Sequence, residues 1–285
     1  MTGFPAARIG DMHVCPLVNG VVPHVGGPIL PPCAPAVITC GVPQARISDM
    51  LTCVGPPDVI VSGAATVLVA GLPAARITDQ TAHGGKIVVG CPTVIIGGPQ
   101  LVKRGNVTIV IDRVNKTITI TGIQEYSGTG ASQTYVVAAT NQINNTWSGP
   151  TQFEGQNYQV NCQITGQLLA PGGTPTPGTT QINVVQTTSP LSVTSRTDPS
   201  NQPFYSTSPG YQHSTDPAGP GLTVAHEFGH TMGLPDEYTE TRNPDGTRTT
   251  TPNTPGGLMG DVTPGSRPTP GNFNSLATGN GLAPQ

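Results

Sequence analysis

The sequence contains one nine-residue pattern three times, and this repeat constrains the fold more than any other feature. The pattern is Gly-x-Pro-x-Ala-Arg-Ile-x-Asp, within blocks at 3–15, 41–53 and 71–83, and each block ends four residues after its aspartate on Cys15, Cys53 or His83. We expect the arginine and aspartate of each block to form a local ion pair across a turn. Between the blocks, alternating Val and Ile bounded by Gly and Pro predicts short strands joined by turns.

The amino-acid composition excludes several classes of protein. Glycine and proline contribute 37 and 31 of the 285 residues, which excludes a helical bundle, because each costs about 1 or about 3 kcal/mol inside a helix. Only 9% of the residues are charged, the formal net charge is −3 and no basic run occurs. We therefore expect no nucleic-acid partner. The apolar stretches are too short and too interrupted for a membrane-spanning segment.

Two features of the sequence bear on the cellular compartment. The first residues show no basic segment followed by an apolar stretch, so no cleaved signal peptide is expected. The protein is predicted to be made in the cytoplasm and, if exported, to leave by another route. Six cysteines lie at 15, 33, 40, 53, 91 and 162. In a chain without an export signal, we expect these thiols to stay reduced.

Histidines and cysteines of the N-terminal half predict a metal site. Histidines beside cysteines, at matching positions of the repeat, are typical of a tetrahedral zinc site. We take His13, His24, Cys53 and His83 as its ligands, with Cys15 as the alternative to His13. A Gly/Pro-rich domain of roughly 95 residues has a small core, so a closed metal site would supply part of its folding free energy.

The N-terminal motifs also resemble a known family. The repeated Pro-Ala-Ala-Arg phrase, with HVGGPILPPC and CVGPPDVI, resembles the PAAR-repeat family over residues 1–98, although Gln44 replaces an alanine in the middle copy. The resemblance implies a small all-β cone with zinc at its tip, held by histidines and a cysteine. It also implies that the cone caps the trimeric VgrG-type spike of a type VI secretion system. Many members carry an effector domain, and export on the spike, into target cells or the medium, would explain the missing signal peptide.

A second domain is predicted at 107–285, behind a linker at 99–106. Residues 107–123 predict a hairpin that turns near Asn115. Within 131–147, four residues lie on one face of a helix, namely Tyr135, Ala139, Ile143 and Trp147. Strand-like runs follow at 158–169 and 180–187, and Cys162 is expected in the core. We therefore expect an α+β domain with a later active-site helix.

The stretch VAHEFGHTMGLPDEY, residues 224–238, predicts a catalytic zinc site. His226 and His230 are separated by four residues, so a helix presents both imidazoles on one face to one ion. Gly233 is expected to end this helix in the left-handed conformation and to turn the chain back. Asp236 then follows at the position of a third ligand.

Two further carboxylates have separate expected roles. Glu227 follows the first histidine and is placed to act as the general base. A purely structural metal site would have no use for it. Glu237, next to Asp236, is expected to point to the opposite side and to orient a histidine from outside the ligand set.

The pattern His-Glu-x-x-His-x-x-Gly-x-x-Asp resembles the metzincin clan of zinc endopeptidases, in its aspartate-ligand variant. The resemblance is good over residues 223–260 and loose elsewhere in 105–285. Members of the clan place a methionine-bearing turn beneath the zinc, which assigns that role to Met259 in GGLMGD. They also usually carry a substantial C-terminal helix, whereas residues 272–285 offer only one or two turns.

Two classes of function stay open at this point. The first is a type VI secretion effector, whose spike-tip domain delivers a zinc metalloendopeptidase that hydrolyses peptide bonds in a target cell. The second is a structural spike-tip protein with an inactive passenger domain, and a zinc hydrolase of cell-wall peptide is a variant of the first. Glu227 favours an enzyme. The expected cofactors are one catalytic and one structural zinc, and the expected partners are a spike protein, a peptide or protein substrate and a cognate immunity protein.

Overall fold

A computed structural model describes residues 3–19, 21–177, 179–185, 192–196, 205–206, 221–242, 248–260 and 265–279. The chain forms two compact units. Unit 1 comprises residues 1–104, 108–118 and 274–285, and unit 2 comprises residues 105–107 and 119–273. Among the helices in these described ranges, none is long and apolar enough to cross a membrane.

The described residues up to 112 form short strands joined by turns. These are β1 (Phe4–Ala6), β2 (His13–Val14), β3 (Val18–Asn19), β4 (Val22–Pro23), β5 (Gly26–Ile29), β6 (Ala34–Thr39), β7 (Val42–Gln44), β8 (Met50–Cys53), β9 (Asp58–Val59), β10 (Ser62–Val69), β11 (Leu72–Ala74), β12 (Lys86–Ile87), β13 (Cys91–Ile96), β14 (Gln100–Arg104) and β15 (Val107–Asp112). Glycine and proline at the turns keep the strands short. This strand-rich architecture agrees with the all-β fold expected for the N-terminal region.

The three repeat blocks of unit 1 close into a ring. The Ala7 amide donates to the Ala75 carbonyl, the Ala75 amide to Ala45, and the Ala45 amide to Ala7, each at 2.9 Å. All three alanines are fully buried, because only small side chains fit where three chain segments meet. The sequence repeat is therefore a structural repeat with approximate threefold symmetry.

An Arg–Asp pair fixes the turn in each block. The ion-pair distances are 2.8 Å for Arg8–Asp11 and 3.1 Å for both Arg46–Asp49 and Arg76–Asp79. In every copy the aspartate also accepts the backbone N–H of its arginine. The predicted local ion pairs are confirmed. The third pair is buried, and burial raises the pKa of Asp79 even though Arg76 opposes this rise.

A strand pair extends from each copy of the repeat. Strands β6 and β7 turn through Cys40 and Gly41, and β10 and β11 turn through Ala70 and Gly71, all with positive φ. In the third copy, β13 pairs with β1 at the start of the chain. The N-terminal strand therefore completes the third repeat.

A disulfide joins two of these strand pairs. It connects Cys40 to Cys91, whose Cα atoms are 6.2 Å apart, within the usual range for a disulfide. The expectation that all thiols stay reduced is wrong for this pair, because the threefold ring brings together cysteines separated by 51 residues. Free cysteines in the described ranges are Cys15, Cys33, Cys53 and Cys162, of which Cys162 is buried, as expected.

Strand β14 occupies most of the stretch predicted as a linker. It pairs antiparallel with β10, with Ser62 opposite Val102. Residues 100–104 are therefore tied to unit 1 by ladder hydrogen bonds and do not form a free connector. Strand β15 ends before the turn at 113–116, as expected for a hairpin turning near Asn115. The domain limits at 1–98 and 107–285 stay predictions.

The remaining elements combine helices and strands. They are β16 (Thr117–Ser127), α1 (Gln133–Trp147), β17 (Gly149–Phe153), β18 (Gln156–Leu168), β19 (Thr180–Val185), β20 (Ser192–Arg196), β21 (Tyr205–Ser206), α2 (Gly221–Thr231), β22 (Tyr238–Arg242), β23 (Arg248–Pro252) and α3 (Pro270–Thr278). The hydroxyl of Ser132 caps α1 by accepting the N–H of Tyr135, and the predicted apolar face of this helix is buried. The predicted helices and strands are confirmed where they lie in the described residues.

One tryptophan holds the later helix in place. The indole N–H of Trp147, at the end of α1, donates to the Ala225 carbonyl of α2 at 2.8 Å. Its ring packs edge-on against Phe228 and Phe273, with centroid distances of 5.7 and 5.9 Å. The position of α2 is therefore fixed by buried aromatic packing together with a satisfied indole N–H.

Candidate metal centres

Four potential ligands of unit 1 surround one point, which we call the tip centre. They are Cys15, His24, Cys53 and His83, whose ligand atoms all lie within 4.8 Å of one another. The Cys53 sulfur is 3.5 Å from Nδ1 of His24, and the rings of His24 and His83 meet edge-on at 5.4 Å. Two cysteines and two histidines form a closed tetrahedral set, which fits a structural zinc ion.

The threefold ring explains why these residues meet. Cys15, Cys53 and His83 occupy the same position in the three blocks, four residues after the aspartate, so the ring directs all three to its axis. His24 supplies the fourth ligand from the segment after β4, where its amide donates to the Leu17 carbonyl at 2.7 Å. Gly55 leaves room for it, since a Cβ there would lie 3.3 Å from the His24 ring.

Without a metal ion, the thiol of Cys53 stays protonated at neutral pH. Burial raises its pKa to about 11, and the neighbouring Cys15 adds to the rise. Two adjacent thiols therefore do not ionise together unless a positive charge lies between them. A bound metal ion supplies that charge, because a coordinating thiol is deprotonated.

His13 does not join the tip centre, and its assignment as a ligand is wrong. Its ring is buried, with Nδ1 2.8 Å from the Gly27 carbonyl oxygen and Nε2 3.4 Å from the Asp58 carboxylate. Both ring nitrogens therefore face protein atoms. Cys15, the alternative to His13, lies in the cluster instead.

The second candidate site, which we call the helix centre, lies beside α2. Nε2 of His226 and Nε2 of His230 are 3.0 Å apart, and Oδ1 of Asp236 is 3.2 and 3.3 Å from them. Three ligands bound tetrahedrally to zinc at 2.0–2.1 Å stand about 3.3 Å apart. The three atoms therefore fit the base of a zinc tetrahedron and leave the fourth position open.

Backbone carbonyls orient both histidines of the helix centre. Nδ1 of His226 lies 2.8 Å from the Leu258 carbonyl oxygen, and Nδ1 of His230 lies 2.7 Å from that of Leu234. A carbonyl accepts only, so each Nδ1 carries a proton, and each Nε2 is left for Asp236 or, with its lone pair, for a metal ion. Gly233 has φ of 86°, as predicted, and reverses the chain so that Leu234 reaches the end of the helix.

The histidines and the aspartate of the helix centre shift each other's pKa values. Burial alone would raise the pKa of Asp236, but hydrogen bonds from His226 and His230 outweigh it and hold the pKa well below its ordinary value. Burial acts to lower the pKa of His226, whereas Asp236 and the Leu258 carbonyl raise it. The net shift of the His226 pKa is upward. Asp236 therefore stays ionised beside the two histidines, as a carboxylate ligand must.

A carboxylate oxygen of Glu227 lies within 4.8 Å of ring nitrogens of His226 and His230, so Glu227 borders the metal position as well. Burial raises its pKa, while the two histidines oppose the rise. Its Oε2 is buried and, within the described part of the chain, accepts no hydrogen bond. It also lines a small cavity with Tyr126 and Tyr135. A carboxylate with a raised pKa and an unused oxygen is suited to accept and return a proton.

Met259 packs directly beneath the helix. It is fully buried, and its sulfur lies so close to Gly229 of α2 that no Cβ would fit there. The turn at 257–260 is closed by a hydrogen bond from the Gly260 amide to the Gly257 carbonyl, at 3.0 Å. The same turn supplies the Leu258 carbonyl that holds His226. Met259 and its turn therefore pack against α2 next to His226, and the role of a methionine turn stays a prediction.

Glu237 points away from the ligands, as expected, but its partner is not a histidine. Its Oε1 accepts the side-chain N–H of Asn272 at 2.7 Å, at the start of α3. Its amide donates to the Met259 carbonyl at 2.9 Å. The predicted role of Glu237 in orienting a histidine is corrected, because backbone carbonyls already occupy both Nδ1 atoms. Helix α3 is nine residues long, somewhat longer than the one or two turns expected.

Sequence reasoning missed three groups in these centres. The carbonyls of Leu234 and Leu258 orient the histidines of the helix centre, and backbone groups leave no signal in residue identity. The third group is Asp58, which faces both His13 and His83. Its signal in the sequence was weak, since Asp58 stands outside the repeated pattern.

The comparison with known proteins concerns unit 1. Residues 19–89 match the family model described as PAAR motif. No curated protein matches the chain. The motif supports a spike-tip protein of type VI secretion, and PAAR proteins sit on VgrG spikes. The match ends before the helix centre.

Proposed function

We propose that the protein is a type VI secretion effector, in which a zinc-stabilised spike tip carries a zinc-dependent endopeptidase to a target cell. The single observation that carries the enzymatic part is the convergence of two imidazole nitrogens and one carboxylate oxygen within 3.0–3.3 Å. Oε2 of Glu227, which has no hydrogen-bond partner among the described residues, supports catalysis over a structural role, because a structural zinc site is closed by four protein ligands.

The surface of unit 1 supports docking on a threefold partner. An exposed apolar pair recurs at the same place in each copy of the repeat, namely Val37 and Ile38, Val67 and Leu68, and Val94 and Ile95. Ile38, Leu68 and Ile95 stand opposite Pro43, Pro73 and Pro5, which confirms their equivalence. Three symmetry-related apolar pairs match a trimeric spike protein, on which each pair meets the same surface.

The side chains of the helix centre have separate roles in the proposed hydrolysis. Bound zinc would polarise the scissile carbonyl and acidify water. His226, His230 and Asp236 would hold the ion, and the Leu234 and Leu258 carbonyls keep the histidines in the required tautomer. Glu227 would take the proton from the attacking water and pass it to the leaving amine. Met259 supports the helix from below.

The experiment is a hydrolysis assay on the full chain. Purified protein is incubated with an unfolded protein substrate or with cell-wall peptide, with a chelator, and again after zinc is restored. We expect cleavage that stops with the chelator and returns with zinc. Cleavage of one substrate alone identifies the substrate class. A chain that carries zinc at the helix centre and cleaves neither would instead indicate an inactive passenger.

A further inference from the structure

Asp58 is a buried carboxylate that lies between two histidines of unit 1. It is fully buried at the start of β9. Its Oδ1 accepts the backbone N–H groups of Val59 and His83, at 2.8 and 3.0 Å. Its Oδ2 faces Nε2 of His13 at 3.4 Å and Nδ1 of His83 at 3.7 Å. The carboxylate therefore lies next to His83, which is one ligand of the tip centre.

The three facing atoms are unsatisfied at these distances. Among the described residues, Oδ2 of Asp58, Nε2 of His13 and Nδ1 of His83 are buried without a hydrogen-bond partner. Leaving a buried polar atom unpaired is unfavourable. Shifts of about 0.4 Å for His13 and about 0.7 Å for His83 would bring both ring nitrogens within hydrogen-bond distance of the carboxylate, near 3.0 Å. One oxygen has two lone pairs and can accept from both.

We propose that Asp58 is a positioning residue for the tip centre: it accepts the Nδ1–H of His83, so that Nε2 of His83 is presented to the metal ion. This inference rests on the proposed tip zinc. His13 anchors the same carboxylate from the other side, and its own Nδ1 lies against Gly27. His13 therefore does not bind the metal ion itself. It holds Asp58, and Asp58 in turn orients the ligand His83.

The test measures zinc affinity at the tip centre in the full chain. Asp236→Ala serves as the background, so that only the tip centre is read, and zinc is titrated against a chromophoric chelator. In this background we expect Asp58→Asn to bind zinc about 10–100-fold more weakly, as for other groups that orient a metal ligand. The absorption of the cobalt-loaded protein should keep its thiolate bands, because both cysteines stay in place.

A matched control separates positioning from a general loss of stability. Asp49→Asn makes the same chemical change in a half-buried Arg–Asp pair of the same unit, where the partner is Arg46. We expect Asp49→Asn to lower the unfolding temperature and to leave the zinc affinity within about threefold. If both variants weaken binding equally, or if Asp58→Asn binds like its background, the proposal is wrong.

A second pair of variants keeps the proposal testable if Asp58→Asn does not fold. In His13→Gln the side-chain amide can take the place of Nε2 and donate to Asp58, whereas in His13→Asn it is too short to do so. We expect His13→Gln to retain more of the zinc affinity than His13→Asn. Equal affinities in the two variants contradict the proposal. If the Asp236→Ala background itself binds no zinc, the tip metal site fails instead, which is a distinct result.

Discussion

At the tip centre, four side chains from four separate segments surround one point, whereas at the helix centre two histidines lie beside Asp236 and within 4.8 Å of Glu227. Two thiolates and two histidines would neutralise a zinc ion, while two histidines and one aspartate would leave a charge of +1. A closed neutral site has no position for a substrate, and an open positive site does. The same metal would therefore stabilise the fold in unit 1 and perform chemistry in unit 2.

The largest expected effect comes from removing the charged ligand of the helix centre. Asp236→Ala should abolish hydrolysis and reduce the zinc content from two ions to one, because the two remaining histidines cannot hold the ion alone. Metal analysis and a peptidase assay on the same sample measure both. Asp236→His, which restores a third ligand, should keep the second zinc and part of the turnover. If Asp236→Ala keeps both ions, the ligand assignment is wrong.

A loss of activity without a loss of metal is expected at Glu227. Glu227→Gln should retain two zinc ions and reduce kcat by about 10²–10⁴-fold, the usual contribution of a general base. The amide has nearly the same shape but cannot accept a proton. Steady-state kinetics and metal analysis check the prediction. Turnover near the wild-type value would assign the base to another group.

The opposite pattern is expected at the tip. Cys53→Ser should weaken zinc binding in unit 1 and lower its stability, because the free energy of binding a structural metal contributes to folding. Hydrolysis of a small peptide at the helix centre should stay within about twofold. Calorimetry and the peptidase assay distinguish the two effects. If Cys53→Ser loses activity while the helix centre keeps its zinc, the two centres are coupled, and the comparison between them fails.

The smallest effect is expected at Glu237. Glu237→Ala removes the hydrogen bond to Asn272 and should cost about 1 kcal/mol of stability, as for a typical single hydrogen bond. Both zinc ions and most of the activity should remain. Chemical denaturation measures the stability, and Asn272→Ala should cost more, because it also removes the hydrogen bond from the Thr269 amide to Asn272 Oδ1. If Glu237→Ala lost the zinc of the helix centre, Glu237 would be the ligand in place of Asp236.

The helix centre was predictable from the sequence because its ligands are local. The spacing of His226 and His230 places both on one helical face, and Gly233 with Asp236 closes the site within seven residues. The orienting carbonyls were not predictable, because every residue has one. Helix α1 was also predictable, because its apolar residues recur every four positions and form the face that is buried in the structure.

The tip centre was predicted only in part because its ligands meet through the threefold ring. The sequence already aligned Cys15 with Cys53 and His83, and this equivalence was a better guide than the preference for histidine that selected His13. The disulfide between Cys40 and Cys91 was not predicted, for the same reason. They lie in equivalent strand pairs of different copies, so their contact depends on ring closure and not on local pattern.

The most direct test of two separate metal centres is X-ray diffraction from crystals of the full chain, with anomalous scattering recorded at the zinc edge. The account predicts two peaks per chain, one among Cys15, His24, Cys53 and His83, and one among His226, His230 and Asp236. A single peak, or a peak bound by His13 in place of Cys15, would contradict it.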